Sequence, residues 1–252
     1  MQDIRYSSRS SETERSLTTP GYHVTVPNPL PFAPADAESL SAEEVIGAAL
    51  EAFHPRISLA CSFQQEEAVL LEMVFAARPN ARVFALDTGV HFPETYATWK
   101  AVEERYGIEI EAFRGPSLAE QAAEHGDALW EREPNACCAI RKVEPLGRAL
   151  GELDAWITGI RRDQAPTRAN TPKVEYDEGR GIWKFSPLAD WSEDAVWAYI
   201  NERDLPVNPL HAQGYASIGC THCTKPGAGR EGRWANTEKT ECGLHPAGGP
   251  LA

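Results

Sequence analysis

Residues 56–89 read RISLACSFQQEEAVLLEMVFAARPNARVFALDTG. Two short apolar runs, Arg56–Ala60 and Arg82–Leu86, flank a segment, Gln65–Ala77, composed largely of strong helix formers. Each run has the length of a strand. Each is followed by small or polar residues, Ser62-Phe63-Gln64 after the first and Asp87-Thr88-Gly89 after the second. Strand, helix, strand is the unit that lays two strands side by side in parallel, because the crossover returns the chain to the same edge.

The alternation continues downstream. Pro93 suits the first turn of a helix running to about Tyr106. Gly107–Phe113 reads as a third strand, and Asp154–Thr158 as a fourth that ends in Gly159. Lys173–Tyr176 and Ile182–Phe185, separated by Asp177-Glu178-Gly179-Arg180-Gly181, read as a hairpin. Ser192-Glu193-Asp194 opens a last amphipathic helix through Tyr199, and beyond Pro206 glycine and proline exclude long regular elements. Upstream, Ser41 and Glu44 match a capping box, with Val45, Ile46, Ala49, Leu50 and Phe53 at helical spacing behind it. The fold class that follows is α/β, a mainly parallel sheet flanked by helices, with an irregular C-terminal tail. Three segments are expected: a mobile arm over 1–37, the α/β domain over 38–226 and a flexible tail over 227–252. No internal repeat is present.

The totals narrow the function classes. The chain has 252 residues, 42% of them hydrophobic and 24% charged, which suits a globular protein. No apolar run is long enough for a membrane span. The N-terminus, MQDIRYSSRSSETERSLTTP, has no apolar signal core, so a cytoplasmic location is expected. The net charge of −13 argues against general nucleic-acid binding. Basic residues nonetheless gather in islands: Arg141-Lys142, Arg161-Arg162 with Arg168, and Arg230 with Arg233. Local positive charge in an acidic chain points to a small anionic ligand such as a phosphate or sulfate ester.

Three of the expected strands end in small or polar residues, the last at Gly159-Ile160-Arg161. In an open parallel sheet these ends line the ligand crevice, so a nucleotide site is expected there. Five of the six cysteines carry the remaining chemistry. Cys137 and Cys138 are adjacent, and Cys220 and Cys223 form a C-x-x-C pair. In a reducing compartment such clusters bind metal or do catalysis rather than form disulfides. Four thiolates suit an iron–sulfur cluster or a closed zinc site, and the adjacent pair fits the zinc pattern less well. Cys242 lies in a glycine-flanked tail and reads as a nucleophile delivered by a mobile segment. Cys61 ends an apolar strand and reads as a core thiol; His222 and His245 read as supporting residues, not metal ligands.

Together, LDTGVHFPET, CCAIRKVEPL, TGIRRDQAPTR, the GC-THC pair and the terminal ECGLH resemble the assimilatory adenylyl-sulfate reductases of bacteria and plants, over about residues 56–245. The resemblance implies an adenine-nucleotide α-hydrolase-like fold. It implies a [4Fe-4S] cluster ligated by Cys137, Cys138, Cys220 and Cys223, with Cys242 as nucleophile. It places Ser62, Leu86, Gly159, Lys142, Arg168, Arg230 and Arg233 against the nucleotide, the four basic residues chiefly at its phosphate and sulfate. The implied reaction reduces adenosine 5′-phosphosulfate to sulfite and AMP through an S-sulfocysteine that thioredoxin resolves. Sister enzymes using 3′-phosphoadenosine 5′-phosphosulfate, the alternative substrate, generally lack the cluster cysteines. The loop Ser62-Phe63-Gln64-Gln65-Glu66 departs from the glycine-rich loop of related ATP pyrophosphatases. An ATP-using adenylating enzyme and a zinc-stabilised nucleotide-binding module are the competing readings. The sequence leaves the oligomeric state open, with a homo-oligomer compatible.

Overall fold

In the computed structural model, which describes residues 29–235, 237 and 239–245, the strand read from Arg56 is Ile57–Cys61 (β1). Its neighbour Arg82–Asp87 (β2) runs parallel to it, Ser58 opposite Arg82 and Cys61 opposite Ala85. The connecting helix Gln65–Ala77 (α2) buries residues around its whole first half, Gln65 to Leu71, because it is covered on more than one side. Ahead of β1, helix Ala42–Phe53 (α1) starts at the expected box. Ser41 Oγ accepts the Glu44 N–H at 3.2 Å, and the Glu44 carboxylate accepts the Ser41 N–H at 2.7 Å. The buried face of α1, Val45, Ile46, Ala49, Leu50 and Phe53, joins β1 and α2 in the main core.

Helix Pro93–Tyr106 (α3) leads to strand Glu111–Arg114 (β3), which pairs parallel with β2. The strand begins four residues later than the sequence implies, because Gly107 sits at φ 64° and ends α3 in a left-handed turn. The chain then recrosses the sheet. Strand Ala155–Ile157 (β4) pairs parallel with β1 on the side away from β2. Strands Val174–Asp177 (β5) and Ile182–Phe185 (β6) form the expected hairpin, with β6 parallel to β4 and β5 antiparallel at the edge. The order is β3-β2-β1-β4-β6-β5. The chain leaves β1 in one direction and returns in the other, so the carboxyl ends of β1 and β4 diverge into a crevice.

Between β3 and β4, where sequence patterning assigns no element, lie four short helices: Leu118–His125 (α4), Leu129–Arg132 (α5), Pro134–Cys138 (α6) and Glu144–Leu150 (α7). A π-helical turn, Ala139–Val143, joins α6 to α7. The last helix, Glu193–Arg203 (α8), runs a turn beyond Tyr199 and packs on α2.

Of the arm expected over 1–37, residues 29–37 are described. A 3-10 turn at Pro34–Ser39 packs on the domain, with Leu30 and Ala37 buried; residues 1–28 lie outside the described ones. Among the described residues, no helix is long and apolar enough to cross a membrane.

Candidate active site

The crevice between the ends of β1 and β4 is a cleft lined by Ser62, Leu86 and Gly159, the positions that the family resemblance implies for the nucleotide. The turn after β1 is held under backbone strain. Phe63 adopts φ 61°, unfavourable for a bulky residue, and is fixed there by burial and by stacking on Trp99 at 4.9 Å. Ser62 Oγ donates to Glu67 Oε2 at 2.7 Å, and the Gln64 N–H donates to the same oxygen at 3.2 Å. Gly159 faces this floor closely. A Cβ there would stand 2.8 Å from Glu66 Cβ and nearer still to Glu67 Oε1. Only glycine fits, which is a packing reason for a residue singled out from strand-end chemistry.

The floor is acidic and buried. Glu66 accepts from Arg161 Nε at 2.9 Å, both side chains under 5% exposed, and from Gln164 Nε2 at 2.9 Å. Glu67 has no ion pair among the described residues. Burial, and then the charge of Glu66, push its carboxyl up to about 7. Sequence reading passed over Glu66, Glu67 and Gln164. Acidic residues in a helix's first turn ordinarily face water, and nothing local says that α2 is covered there.

The cleft also has a cationic lining. Lys142 comes from the π turn, Arg168 from the 3-10 turn Pro166–Arg168, and Arg230 and Arg233 from the C-terminal segment; all four line the cleft. Arg233 donates from Nη1 to Ser217 Oγ and to the Ile218 carbonyl, each at 3.1 Å. Its Nε, and the Nε of Arg230, are buried without a hydrogen-bond partner among the described residues. Burial, and then the neighbouring Arg168 charge, push Arg230 down to about 10. Buried guanidinium donors left open at a cleft wall are what an incoming anion would satisfy.

Behind this wall lies a second, smaller cavity. Cys137 and Cys138 at the end of α6, and Cys220 and Cys223 around the 3-10 turn Thr221–Cys223, all line it, with Trp130, Arg141, His222 and Trp234. None of the four is in a disulfide. No three His, Cys, Asp or Glu side chains among the described residues stand together as donors to one metal ion; the thiols ring the cavity instead. Burial raises Cys137 and Cys138, and burial with the Cys220 charge pushes Cys223 up to about 11. Cys220 goes the other way. Burial opposes its ionisation, but Lys142, the Thr88 hydroxyl at 3.5 Å and Arg233 hold it below the ordinary thiol value. Arg141 is buried, donates one N–H to the Thr88 carbonyl at 2.7 Å, and keeps Nε and Nη2 unpartnered. A buried cation with open donors beside four thiols fits a negatively charged group in that cavity. Lys142 lines both cavities.

The tail read as flexible is docked where it is described. Cys242 lines the cleft, buried, and packs with Cys138 and Trp234. Glu241 is gripped by Arg168 and Arg230, and the Leu244 carbonyl accepts from Arg180 at 3.1 Å. His245 stacks on Trp156 at 5.3 Å with planes 5° apart. Burial and the surrounding cations hold its imidazole well below the usual range. His222 stacks on Trp130 at 4.1 Å beside the cysteine cavity. Cys61 ends β1 as a buried thiol, raised well above its ordinary value by burial. The structure thus brings the expected substrate, nucleophile and cysteine positions to two cavities that share Lys142, whereas Arg161 and Arg162 of the basic islands pair with Glu66, Asp163 and Glu38 instead. It also adds His91 and Trp156 to the cleft.

Comparison with known proteins agrees with this picture. Residues 56–226 match the phosphoadenosine phosphosulfate reductase domain model. A phosphoadenosine 5′-phosphosulfate reductase of Gloeobacter violaceus is 48% identical over 217 residues, covering 82% of this chain and 90% of that one. An adenosine 5′-phosphosulfate reductase of Bacillus subtilis is 46% identical over 219 residues, covering 84% and 94%. Among solved structures, the phosphoadenylyl-sulfate reductase of Candida auris in complex with phosphate superposes with a TM-score of 0.68 at 34% identity. That match covers 76% of this chain and 94% of the other.

Proposed function

The chain belongs to the phosphoadenosine phosphosulfate reductase family, and from that premise we propose that it reduces adenosine 5′-phosphosulfate to sulfite and AMP. It is then an oxidoreductase of sulfate assimilation that takes electrons from thioredoxin or a similar dithiol. The observation that carries the reading is one cleft that holds a cysteine, Cys242, against a wall of Lys142, Arg168, Arg230 and Arg233. The nucleoside lies toward Ser62, Leu86 and Gly159, and the phosphate and sulfate meet the cationic wall. There the open Nε donors of Arg230 and Arg233 receive oxygens. The charge of the wall offsets the repulsion between an anionic ester and an incoming thiolate.

The Cys242 thiolate attacks the substrate sulfur, forming an S–S bond as the bond from sulfur to the phosphate oxygen breaks. AMP leaves with that electron pair, and Cys242 carries the sulfonate. A thiolate of the dithiol donor then attacks Cys242 Sγ, and sulfite leaves with the electrons of the S–S bond. The second donor thiol displaces Cys242 from the mixed disulfide. The sulfate sulfur is thereby reduced by two electrons and the dithiol is oxidised.

Cys137, Cys138, Cys220 and Cys223 would hold a [4Fe-4S] cluster, which would supply a fixed buried negative charge when bound. The four thiols line one cavity without converging on a single point, as a polynuclear group would require, and Arg141 would supply the compensating charge. Lys142, lining both cavities, holds positive charge between cluster and substrate. The cluster ligands favour the substrate without a 3′-phosphate, on the family resemblance. The 3′-phosphorylated ester is the second reading, because the Gloeobacter and Candida relatives are reductases of that compound.

The deciding experiment assays sulfite release from each phosphosulfate, with reduced thioredoxin, by wild type and Cys242→Ser. Wild type is expected to prefer adenosine 5′-phosphosulfate. The variant is expected to fold, bind AMP and release no sulfite. Without thioredoxin, wild type is expected to gain the mass of one sulfonate on the peptide containing Cys242. A fully active variant, or a sulfonate on Cys61, overturns the mechanism.

A further inference from the structure

Glu241 immediately precedes Cys242. Its carboxylate is the most heavily hydrogen-bonded point of the tail. Oε1 accepts from Thr167 Oγ1 at 3.0 Å and from Arg168 Nε at 3.0 Å. Oε2 accepts from Arg168 Nη2 at 2.9 Å and from Arg230 Nη2 at 2.9 Å. The Arg168 contact is two-pronged, the geometry in which a guanidinium grips a carboxylate most firmly. Arg168 and Arg230 are 10% and 15% exposed and Glu241 19%, so the pair is shielded from much of the screening that weakens surface ion pairs.

Among the described residues, the stretch 240–245 is also held at the Thr240 carbonyl, which accepts from Arg230 at 3.3 Å, and at the Leu244 carbonyl, which accepts from Arg180. Thr167 and Arg168 belong to the loop after β4, so the clamp ties the residue before the cysteine to the rim of the cleft. Each nitrogen of Arg168 already donates once: Nε and Nη2 to Glu241, and Nη1 to Gln164 Oε1 at 2.6 Å. Arg230 and Arg233 line the cleft while the tail is docked, and their buried Nε donors have no hydrogen-bond partner among the described residues.

We propose that Glu241 is a positioning residue, whose clamp on Arg168, Arg230 and Thr167 docks the tail and sets Cys242 in the cleft beside the open arginine donors. The proposal rests on the reading of Cys242 as the nucleophile. On it, Arg168 serves the tail first, and the substrate's anionic end is met by Arg230 and Arg233.

The test uses the full-length chain as purified anaerobically, with Glu241→Gln and Glu241→Asp. One readout is the rate at which iodoacetamide alkylates Cys242, followed by peptide mass. The other is the separate kcat and KM for adenosine 5′-phosphosulfate, with AMP affinity by calorimetry. Loss of a clamp of charged hydrogen bonds is expected to speed alkylation of Cys242 in Glu241→Gln by about tenfold or more and to lower kcat by a similar factor. KM and AMP affinity are expected to stay within about twofold, and Glu241→Asp is expected to recover part of both losses. Unchanged alkylation overturns the proposal. So does a Glu241→Gln enzyme with wild-type kcat but a lower KM and tighter AMP binding, since Glu241 would then only compete with substrate for the arginines. Failure of wild type to release sulfite would instead remove the reaction assigned above, while the alkylation rates would still decide whether Glu241 docks the tail.

Discussion

Gly159 shows how one missing methyl group shapes the cleft. Its place after a strand is visible in the sequence. Its necessity comes from Glu66 and Glu67, more than ninety residues earlier, which leave no room for a Cβ. Gly159→Ala is expected to cost about 1–3 kcal/mol of stability through overpacking and to weaken AMP binding, measurable by urea unfolding and calorimetry. Glu67 carries a second consequence. Its carboxyl titrates near 7 in the fold, raised by burial and by Glu66, against an ordinary value of 4.5. The folded chain therefore holds a proton that the unfolded chain has lost between those values. The contribution is fully present below about 4.5 and disappears as pH rises through about 7. Glu67→Gln keeps an acceptor for Ser62 without the titration. It is expected to flatten the pH dependence of stability over that interval and to be the more stable protein above it, as followed by thermal melts across pH. Neither acid was legible in advance, because helical first-turn acids are common on solvated surfaces and only the layer over α2 makes these two different.

Among the elements, the strands and the helices α1, α2, α3 and α8 were legible because apolar periodicity and caps mark them. The segment between β3 and β4 was not, although it supplies half of the cysteine site. Its helices are four to eight residues long, too short for a periodic signal, and Pro134 and Pro145 break the pattern. The Ser117 and Glu120 capping box was the one signal that would have found α4. The π turn Ala139–Val143 aims Arg141 and Lys142 toward the cavities directly after the cysteines, a use to which such turns are often put. It is braced from below: a Cβ on Gly115 would stand 2.7 Å from the Ile140 carbonyl oxygen. Gly115→Ala is expected to displace the turn and lower iron and sulfide per chain after anaerobic purification, while Gly107→Ala, far from the turn, leaves both unchanged.

Across the whole molecule, the composition-based boundary at residue 37 falls inside an ordered segment. Leu30 and Ala37 are buried, and Glu38 binds Arg162 and accepts the Lys173 N–H at 3.0 Å. These contacts are worth about 1–3 kcal/mol. A chain beginning at residue 41 is therefore expected to melt on the order of 5 °C below one beginning at residue 29, by calorimetry. The docked tail was equally hidden. Its glycines advertise freedom, whereas its main anchor is an arginine 73 residues away. The same docking gives the protein a light signal of its own. Of the seven tryptophans, Trp234 packs on Cys242 and Trp156 stacks on His245, both almost fully buried. Lifting the tail would uncover both indoles at once, so intrinsic fluorescence should shift to longer wavelength as it leaves the cleft. Each turnover could then be watched without a label.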